Sequence, residues 1–320
     1  MTTRLAREEL SRAAPGRPSV VTIGKFDGVH RGHQHLVSVL LEHARKQELA
    51  SVVVTLHPHP ITVLRPGTPI TYLCSLEERV AHLQALGVER VGVLSFTSEL
   101  AQLSYRDFLA LLADQLELRL LLVGADFALG RDREGKVEAL RALGAERGFQ
   151  VEVLPLLRES ETKVGSGAIR HALARGDMEA MMPLLGRPFA LHGPVVRGAE
   201  RGQRIGFPTA NIAVAPDLAL PSFGVYVTRA YLGEGWYPSV TNIGQRPTFN
   251  EARPTIEVHM LDFEGDCYER DLRIELLHRL REEQRFDGVD ELVAQIRRDV
   301  EATRDYFDGV DTAARTEGDA

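Results

Sequence analysis

Val20-Val21-Thr22-Ile23-Gly24-Lys25-Phe26-Asp27-Gly28-Val29-His30-Arg31-Gly32-His33 decides how the first half of this chain folds. Val20–Ile23 is an unbroken β-prone run, the texture of a strand buried on both faces. Gly24 and Gly28 turn the chain. Leu36, Leu40 and Ala44, with Val37 and Leu41 beside them, then repeat at helical spacing. A strand, a glycine turn and a helix aim backbone N–H groups and the positive end of a helix dipole at one point, where a phosphate binds. His30 and His33 stand there as donors to phosphate oxygens that gain charge in a transition state. The competing reading is two surface histidines at a helix start. The full Gly-x-Phe-Asp-Gly-x-His-x-Gly-His spacing favours the nucleotide site.

Outward from this stretch, short apolar runs alternate with amphipathic segments. Residues 20–23, 51–56, 91–94, 120–123 and 151–155 read as buried strands, with helical spacing over 34–47, 76–86, 105–116 and 136–147. That alternation predicts an α/β domain with a parallel sheet, its strand-end loops gathered on one carboxyl edge. Residues 166–185 read as helical with a break at Gly176-Asp177, and Gly186-Arg187-Pro188 marks the expected junction. Beyond it, short β-like runs at 189–195, 210–214, 224–232, 237–243 and 255–261, with more at 273–280, predict a small antiparallel barrel. An amphipathic helix over 289–307 closes it. Residues 1–18 read as an extension and 308–320 as a disordered tail, leaving domains at 19–186 and 187–307.

At 320 residues, 44% of them hydrophobic, the chain suits two globular domains. Its net charge of -7 argues against a nucleic-acid partner. The N-terminus lacks the apolar core of a secretory signal, and no run approaches the roughly eighteen apolar residues of a membrane span. Two cysteines far apart in sequence, Cys74 and Cys267, point to reduced thiols and a cytoplasmic protein. Lysine occurs only at 25, 46, 136 and 163, so phosphate chemistry in the second half must use arginine, amides, histidine or a metal.

Thr55-Leu56-His57-Pro58-His59-Pro60 follows a strand on the same edge, and Pro58 and Pro60 stiffen it into a preformed wall. His57 and His59 lack a third ligand, so a plain loop competes with a metal pair. The 120–123 strand should deliver Asp126 and Phe127 to that edge. Gly130-x4-Gly135-Lys136 is rejected as a phosphate loop, because Val137 stands where Ser or Thr must hold magnesium. Arg131 and Arg133 remain candidates for phosphate contact. Lys163 to Arg170 joins flexible backbone to the Ser166 hydroxyl and the Arg170 cation. It can fold over a triphosphate, or serve as a linker with Ser166 as helix N-cap.

In the second half, glycines at 193, 198, 202 and 206 precede Pro208-Thr209-Ala210-Asn211. Such a loop cradles phosphates through its amides. Thr209 and Asn211, two apart on a strand, turn their oxygens to one side, where they can hold Mg²⁺. A ligand-free turn is the alternative. Thr255–Leu261 alternates, so Glu257 and His259 point together, opposite Ile256, Val258 and Met260. A carboxylate fixed on a strand suits a general base, and an exposed strand face is the alternative.

Taken together, these residues resemble the bacterial-type bifunctional riboflavin kinase/FAD synthetase (FMN adenylyltransferase) family, from about Ser19 to Phe307. Phe26–His33 matches the His-x-Gly-His element of its adenylyltransferase module, and Gly206–Asn211 the hallmark of its riboflavin kinase module. Residues 55–60, 242–249, 255–261 and 280–286 are also similar. The resemblance implies a Rossmann-type, nucleotidyltransferase-like domain followed by a kinase barrel. The barrel would phosphorylate riboflavin with MgATP, and the first domain would adenylylate FMN to FAD with a second ATP, releasing pyrophosphate.

Glu257 would be the kinase base, with Thr209 and Asn211 at Mg²⁺ and Gly198, Gly202, Gly206 and Pro208 around the nucleotide. In the first domain His30, His33 and Arg170 would serve adenylyl transfer. Gly24, Phe26, Asp27, Gly32, Asp126 and Ser166 would bind nucleotide. Pro58 and Pro60, and in the barrel Arg281 and Phe286, would meet flavin. Partners would be small molecules only, with no membrane, for a monomer or weak homo-oligomer.

Three positions depart from the family. Gly165-Ser166-Gly167-Ala168-Ile169-Arg170 keeps one hydroxyl of Ser-Ser-Thr-x-Ile-Arg, Glu269 stands where glycine is common, and Asp126 where some relatives have Asn. Rival readings are a kinase with a weak adenylyltransferase module, a non-catalytic flavin or nucleotide regulator, and a tRNA synthetase. The acidic charge disfavours the last.

Overall fold

The computed structural model describes residues 2–155, 157–159, 162–198, 201–245 and 254–317. The chain divides into two compact units, Met1–Ala168 and Ile169–Ala320. The first opens with α1 (Thr2–Arg12), β1 (Ser19–Gly24), α2 (Arg31–Lys46), β2 (Ala50–His57), α3 (Pro60–Leu64), α4 (Leu76–Ala85) and β3 (Arg90–Ser95). It continues with α5 (Ser98–Ala101), α6 (Tyr105–Leu116) and β4 (Leu118–Gly124). A hairpin of β5 (Ala128–Leu129) and β6 (Gly135–Lys136) leads to α7 (Val137–Arg147) and β7 (Gln150–Leu154). A second hairpin pairs β8 (Arg158–Glu159) with β9 (Thr162–Lys163).

The sheet is parallel, in the order β3-β2-β1-β4-β7. Its strands read as continuous apolar runs because successive residues fill opposite cores. Val20 packs with Leu40, Val53, Leu83 and Leu120 on one face, while Val21 packs with Leu10, Leu109, Leu112 and Leu121 on the other. The strand order reverses at β1. Its neighbours β2 and β4 carry the chain away in opposite directions and leave a crevice at its carboxyl end.

In the second half, α8 (Ser166–Arg175) and α9 (Met178–Leu185) lead into β10 (Phe189–Val196), α10 (Arg201–Arg204), β11 (Ala210–Ile212), β12 (Gly224–Leu232), β13 (Gly235–Gln245), β14 (Pro254–Met260) and β15 (Asp271–Arg281). The six strands close into a barrel, β10-β11-β14-β13-β12-β15, so no ladder edge is left bare. Ile243, Ile256, Val258, Leu272 and Ile274 are buried. Then α11 (Val289–Glu317) seals a flank, its Phe307 ring 5.8 Å from Trp236.

The structure differs from the sequence reading in three places. Residues 1–18 are no mere extension, because α1 lays Ala6 and Leu10 into the core and Ala13, just past its end, joins them. Glu9 of that helix accepts hydrogen bonds from the Ser95 N–H (2.8 Å) and hydroxyl (2.6 Å) at the end of β3. Second, the compact units part after Ala168 rather than after 186. The Leu173 carbonyl accepts from the Ser222 N–H, and Glu179 of α9 pairs with His278 of β15. Third, the closing helix continues past residue 307 to Glu317 through most of the expected tail, while residues 318–320 lie outside the described residues.

Leu10 is 1% exposed. Leu10→Ala should therefore destabilise the first unit by about 2–4 kcal/mol, read as a lower urea midpoint in far-UV circular dichroism. An unchanged midpoint would show that α1 contributes nothing to that core.

Candidate functional site

The expected phosphate loop hangs from the carboxyl end of β1. Gly24 is in register with Thr55 of β2, whose hydroxyl donates to the Lys25 carbonyl at 3.0 Å. The loop is wound through unusual backbone. Phe26, Gly28 and Val29 have φ of 49°, 77° and 39°, of which only the glycine is at ease. It is over-determined from below: Asp27 Oδ1 accepts the Leu73 N–H at 2.9 Å, and Cys74 Sγ accepts the Gly28 N–H at 3.3 Å. Phe26 and Asp27 are buried, so they hold the loop's shape.

His30 caps α2, its Nδ1 accepting the His33 N–H at 3.4 Å. That bond leaves the proton of a neutral His30 on Nε2. The His30 and His33 rings stack at 3.7 Å, with Phe26 5.0 Å from His33. At Gly32 a Cβ would come within 3.1 Å of the His30 ring. Burial, then His30, Lys25 and Arg79, hold the His33 pKa well below the ordinary histidine value. His33 therefore enters neutral solution uncharged. Its Nδ1 is sealed from solvent and has no hydrogen-bond partner among the described residues.

Other predicted residues of this half gather on the same sheet edge. Pro58 and Pro60 follow β2, and Pro60 opens α3 beneath a cap in which His59 Nδ1 accepts the Ile61 N–H. The Tyr72 hydroxyl accepts the His59 N–H at 2.8 Å, fixing that wall. Asp126 is exposed just beyond β4, its carbonyl accepting from Arg133 at 3.2 Å. Ser166 donates to the Asp27 carbonyl at 3.2 Å, bringing the 164–168 segment to the loop. Open space surrounds Gly165 and Gly167, so packing does not demand glycine at either. Arg170, one turn further along α8, belongs to the second unit.

Sequence reasoning missed Arg79. It lies within the predicted helix but is 1% exposed, beneath Asp27 and the end of β2. Its spacing from Leu76 and Leu83, on the buried side of α4, was the available signal.

In the barrel, register does the placing. Glu257 of β14 lies opposite Asn211 of β11 on one side and Asn242 of β13 on the other, so two amide residues flank one carboxylate in a row across three strands. His259 Nδ1 donates to the Pro208 carbonyl at 2.8 Å and its ring meets Phe207 edge-on, pinning the Pro-Thr-Ala-Asn turn. The glycines let the preceding loop close upon it. A Cβ at Gly198 would lie 2.3 Å from Asn211 Nδ2, and one at Gly202 would lie 2.2 Å from the Phe207 carbonyl and 3.4 Å from Thr209 Oγ1. Gly206 makes the turn at φ 87°. Residues 199 and 200 of this loop, and 246–249 of the similar 242–249 stretch, lie outside the described residues.

Arg281 forks onto Asp299 of α11 (2.8–3.1 Å), so its guanidinium fastens that helix, with Phe286 5.9 Å away. Glu269 adopts φ 62°, keeping the left-handed turn that glycine makes more easily, at a strain of about 1 kcal/mol. Arg197 at the mouth of the glycine loop stacks on Tyr268 at 4.6 Å. Thr209 and Asn211 offer hard oxygen donors, approached closely by Gly202 and Gly198 respectively, a donor chemistry that fits Mg²⁺. Among the described residues no three His, Cys, Asp or Glu side chains converge as a metal site.

A histidine pair at the switch point of a parallel sheet, joined to a barrel whose glycine loop closes on Asn211 across the ladder from Glu257, defines a two-module transferase working on nucleotide phosphates. A FAD synthetase family model matches residues 13–168, and a riboflavin kinase model matches 185–307. The bifunctional riboflavin kinase/FMN adenylyltransferase of Escherichia coli (strain K12) is 40% identical over 296 residues, spanning 92% of this chain and 94% of its own. The Bacillus subtilis (strain 168) protein of the same name is 36% identical over 90% and 92%. The chain belongs to the bifunctional riboflavin kinase/FMN adenylyltransferase family.

A crystal structure described as a macrolide-efflux protein from Streptococcus pneumoniae superposes with a TM-score of 0.86 at 32% identity, covering 92% of this chain and 97% of that one. Among the described residues of the present chain, no helix is long and apolar enough to cross a membrane.

Gly198→Ala should displace the Asn211 amide and slow riboflavin phosphorylation roughly tenfold or more, a barrier change of about 1.4 kcal/mol. Far-UV circular dichroism should be unchanged. A fully active variant would show that the close approach has no chemical purpose.

Proposed function

We propose that the barrel phosphorylates riboflavin to FMN with ATP and Mg²⁺, and that the first unit adenylylates FMN with a second ATP to give FAD and pyrophosphate. The reading is carried by the placement of Glu257 between Asn211 and Asn242, on a strand held by ladders on both sides.

In the kinase, the Glu257 carboxylate accepts the proton of the ribityl 5′-hydroxyl as that oxygen attacks the γ-phosphorus and ADP leaves. Amides of the 198–206 loop receive the phosphates, Arg197 stands at its mouth, and Phe286 offers an aromatic face to the flavin. Mg²⁺, when held by Thr209 and Asn211, supplies positive charge to the phosphates.

In the first unit, a phosphate oxygen of FMN attacks the α-phosphorus, and the bond to pyrophosphate breaks. His30 and His33 donate to the α-phosphate oxygens as charge grows on them, in a loop already fixed before substrate arrives. The low His33 pKa makes it a neutral donor, so the site need not lose a proton first. Pro58 and Pro60 form the flavin wall, and Asp126 and Ser166 line the nucleotide path. Positioning and charge neutralisation suffice without a covalent intermediate.

Incubation with riboflavin, ATP and Mg²⁺, followed by separation of the flavins, should yield FMN and then FAD. FMN alone would favour a silent adenylyltransferase module, and no turnover at all a binding protein. His33→Ala should stop FAD formation by a hundredfold or more, on the order of an oxyanion-hole deletion, while FMN still forms. Glu257→Gln should do the converse: riboflavin stays unphosphorylated, but added FMN is still converted to FAD. Undiminished FMN production would remove Glu257 as the base.

A further inference from the structure

Arg79 is the largest side chain among the described residues to be so completely buried. A guanidinium removed from water is costly unless each N–H is matched. Here Nη1 donates to the Leu56 carbonyl at 3.3 Å and approaches Thr55 Oγ1 at 3.4 Å, and Nη2 lies 4.0 Å from Asp27 Oδ1. Nε and Nη2 have no hydrogen-bond partner among the described residues. The guanidinium also sits 5.5 Å from the Tyr72 ring centre. A methionine would fill most of this space without the desolvation penalty, so the charge itself needs a reason.

The contacts supply one. Asp27 belongs to the loop that presents His30 and His33, Thr55 and Leu56 end the strand that leads into Pro58, and Tyr72 holds the His59 amide. We propose that Arg79 is a positioning residue for adenylyl transfer, tying the histidine loop to the proline-bearing wall from behind the site. The proposal rests on the reading of the first unit as the adenylyltransferase.

Its charge has a second effect. His33 faces His30 and Lys25 from its own loop and Arg79 from α4, and each disfavours a proton on it. Asp27 is the acid of the cluster. Glu78 of α4 is engaged in a capping box with Ser75, and the Cys74 thiol, pushed up to about 11, stays uncharged. Removing the Arg79 cation therefore makes the His33 imidazolium easier to form, which moves its titration to higher pH.

The test uses full-length wild type, Arg79→Met and Arg79→Lys. FAD formation from FMN and ATP is followed from acid to neutral pH, His33 is titrated by NMR, and riboflavin phosphorylation serves as a control in the same chain. Arg79→Met should lower kcat for FAD formation roughly tenfold or more, the scale expected of misplaced reacting groups. Both the acid limb of the rate and the His33 titration should move to higher pH, with phosphorylation unchanged. Arg79→Lys should restore the titration but only part of the rate, because an ammonium lacks the planar fork that spans Asp27 and Leu56.

A methionine variant with wild-type rate and titration would overturn the proposal. So would a lost rate with an unmoved titration, which would assign Arg79 to packing alone. If Arg79→Met does not fold, Arg79→Lys decides: a wild-type rate there overturns the proposal, and a reduced rate with normal titration supports it. Wild-type protein that makes no FAD from added FMN would instead sink the adenylyltransferase reading.

Discussion

The reversal of strand order at β1 is the constraint on which the first unit depends. Parallel strands cannot be joined by tight turns, so each crossover returns the chain to the same end of the sheet, and every carboxyl-end loop emerges on one edge. At β1 the crossovers go opposite ways, which opens a gap at its carboxyl end. The loop of residues 24–33 occupies that gap in a backbone form that is unfavourable by itself at Phe26 and Val29. It persists because Asp27, the Leu73 amide and the Cys74 sulfur hold it from beneath. The stacked imidazoles are thus arranged by buried polar contacts beneath the loop.

The barrel reaches a comparable end by other means. There the chemistry-bearing residues sit within the ladders, and spacing comes from pairing rather than from a strained loop. Glu257 has a neighbour strand on each side, and the Pro208 carbonyl is anchored by His259 one pleat along. The glycine loop contributes by what it lacks, since a side chain at 198 would occupy the place of the Asn211 amide. One unit spends backbone strain to position its donors, and the other relies on a sheet that cannot shift.

Much of this was legible in the sequence. The five parallel strands, the four long helices between them and the six barrel strands follow from apolar periodicity, which is strong where a strand is buried on both faces or alternates cleanly, while the short α3 and α5 are too brief to show it. The Glu257 and Asn211 orientations follow from the two-residue period. What stayed hidden has physical reasons. Helix α1 buries only Leu10 and small alanines amid many charges, so its apolar stripe is faint. Gly186-Arg187-Pro188 marks a turn, and a turn is not a domain edge; the contacts of Leu173 and Glu179 decide the boundary. Arg79 reads as an ordinary surface charge, because burial of a cation depends on Asp27 and Leu56, distant in sequence. The family resemblance implies a flavin-facing Arg281, and the fork of that side chain onto Asp299 depends on a helix distant in sequence.

Closure of the barrel bears on how this chain can diverge. In an open sheet an added residue can be absorbed by sliding the outermost strand. In a ring of six, a slip of β14 would have to be taken up by β13, β12, β15, β10 and β11 in turn, and a one-residue slip would exchange Glu257 for the inward Val258. Length changes in this half of the protein are accordingly confined to the turns between strands, while the strands themselves can vary only by substitution.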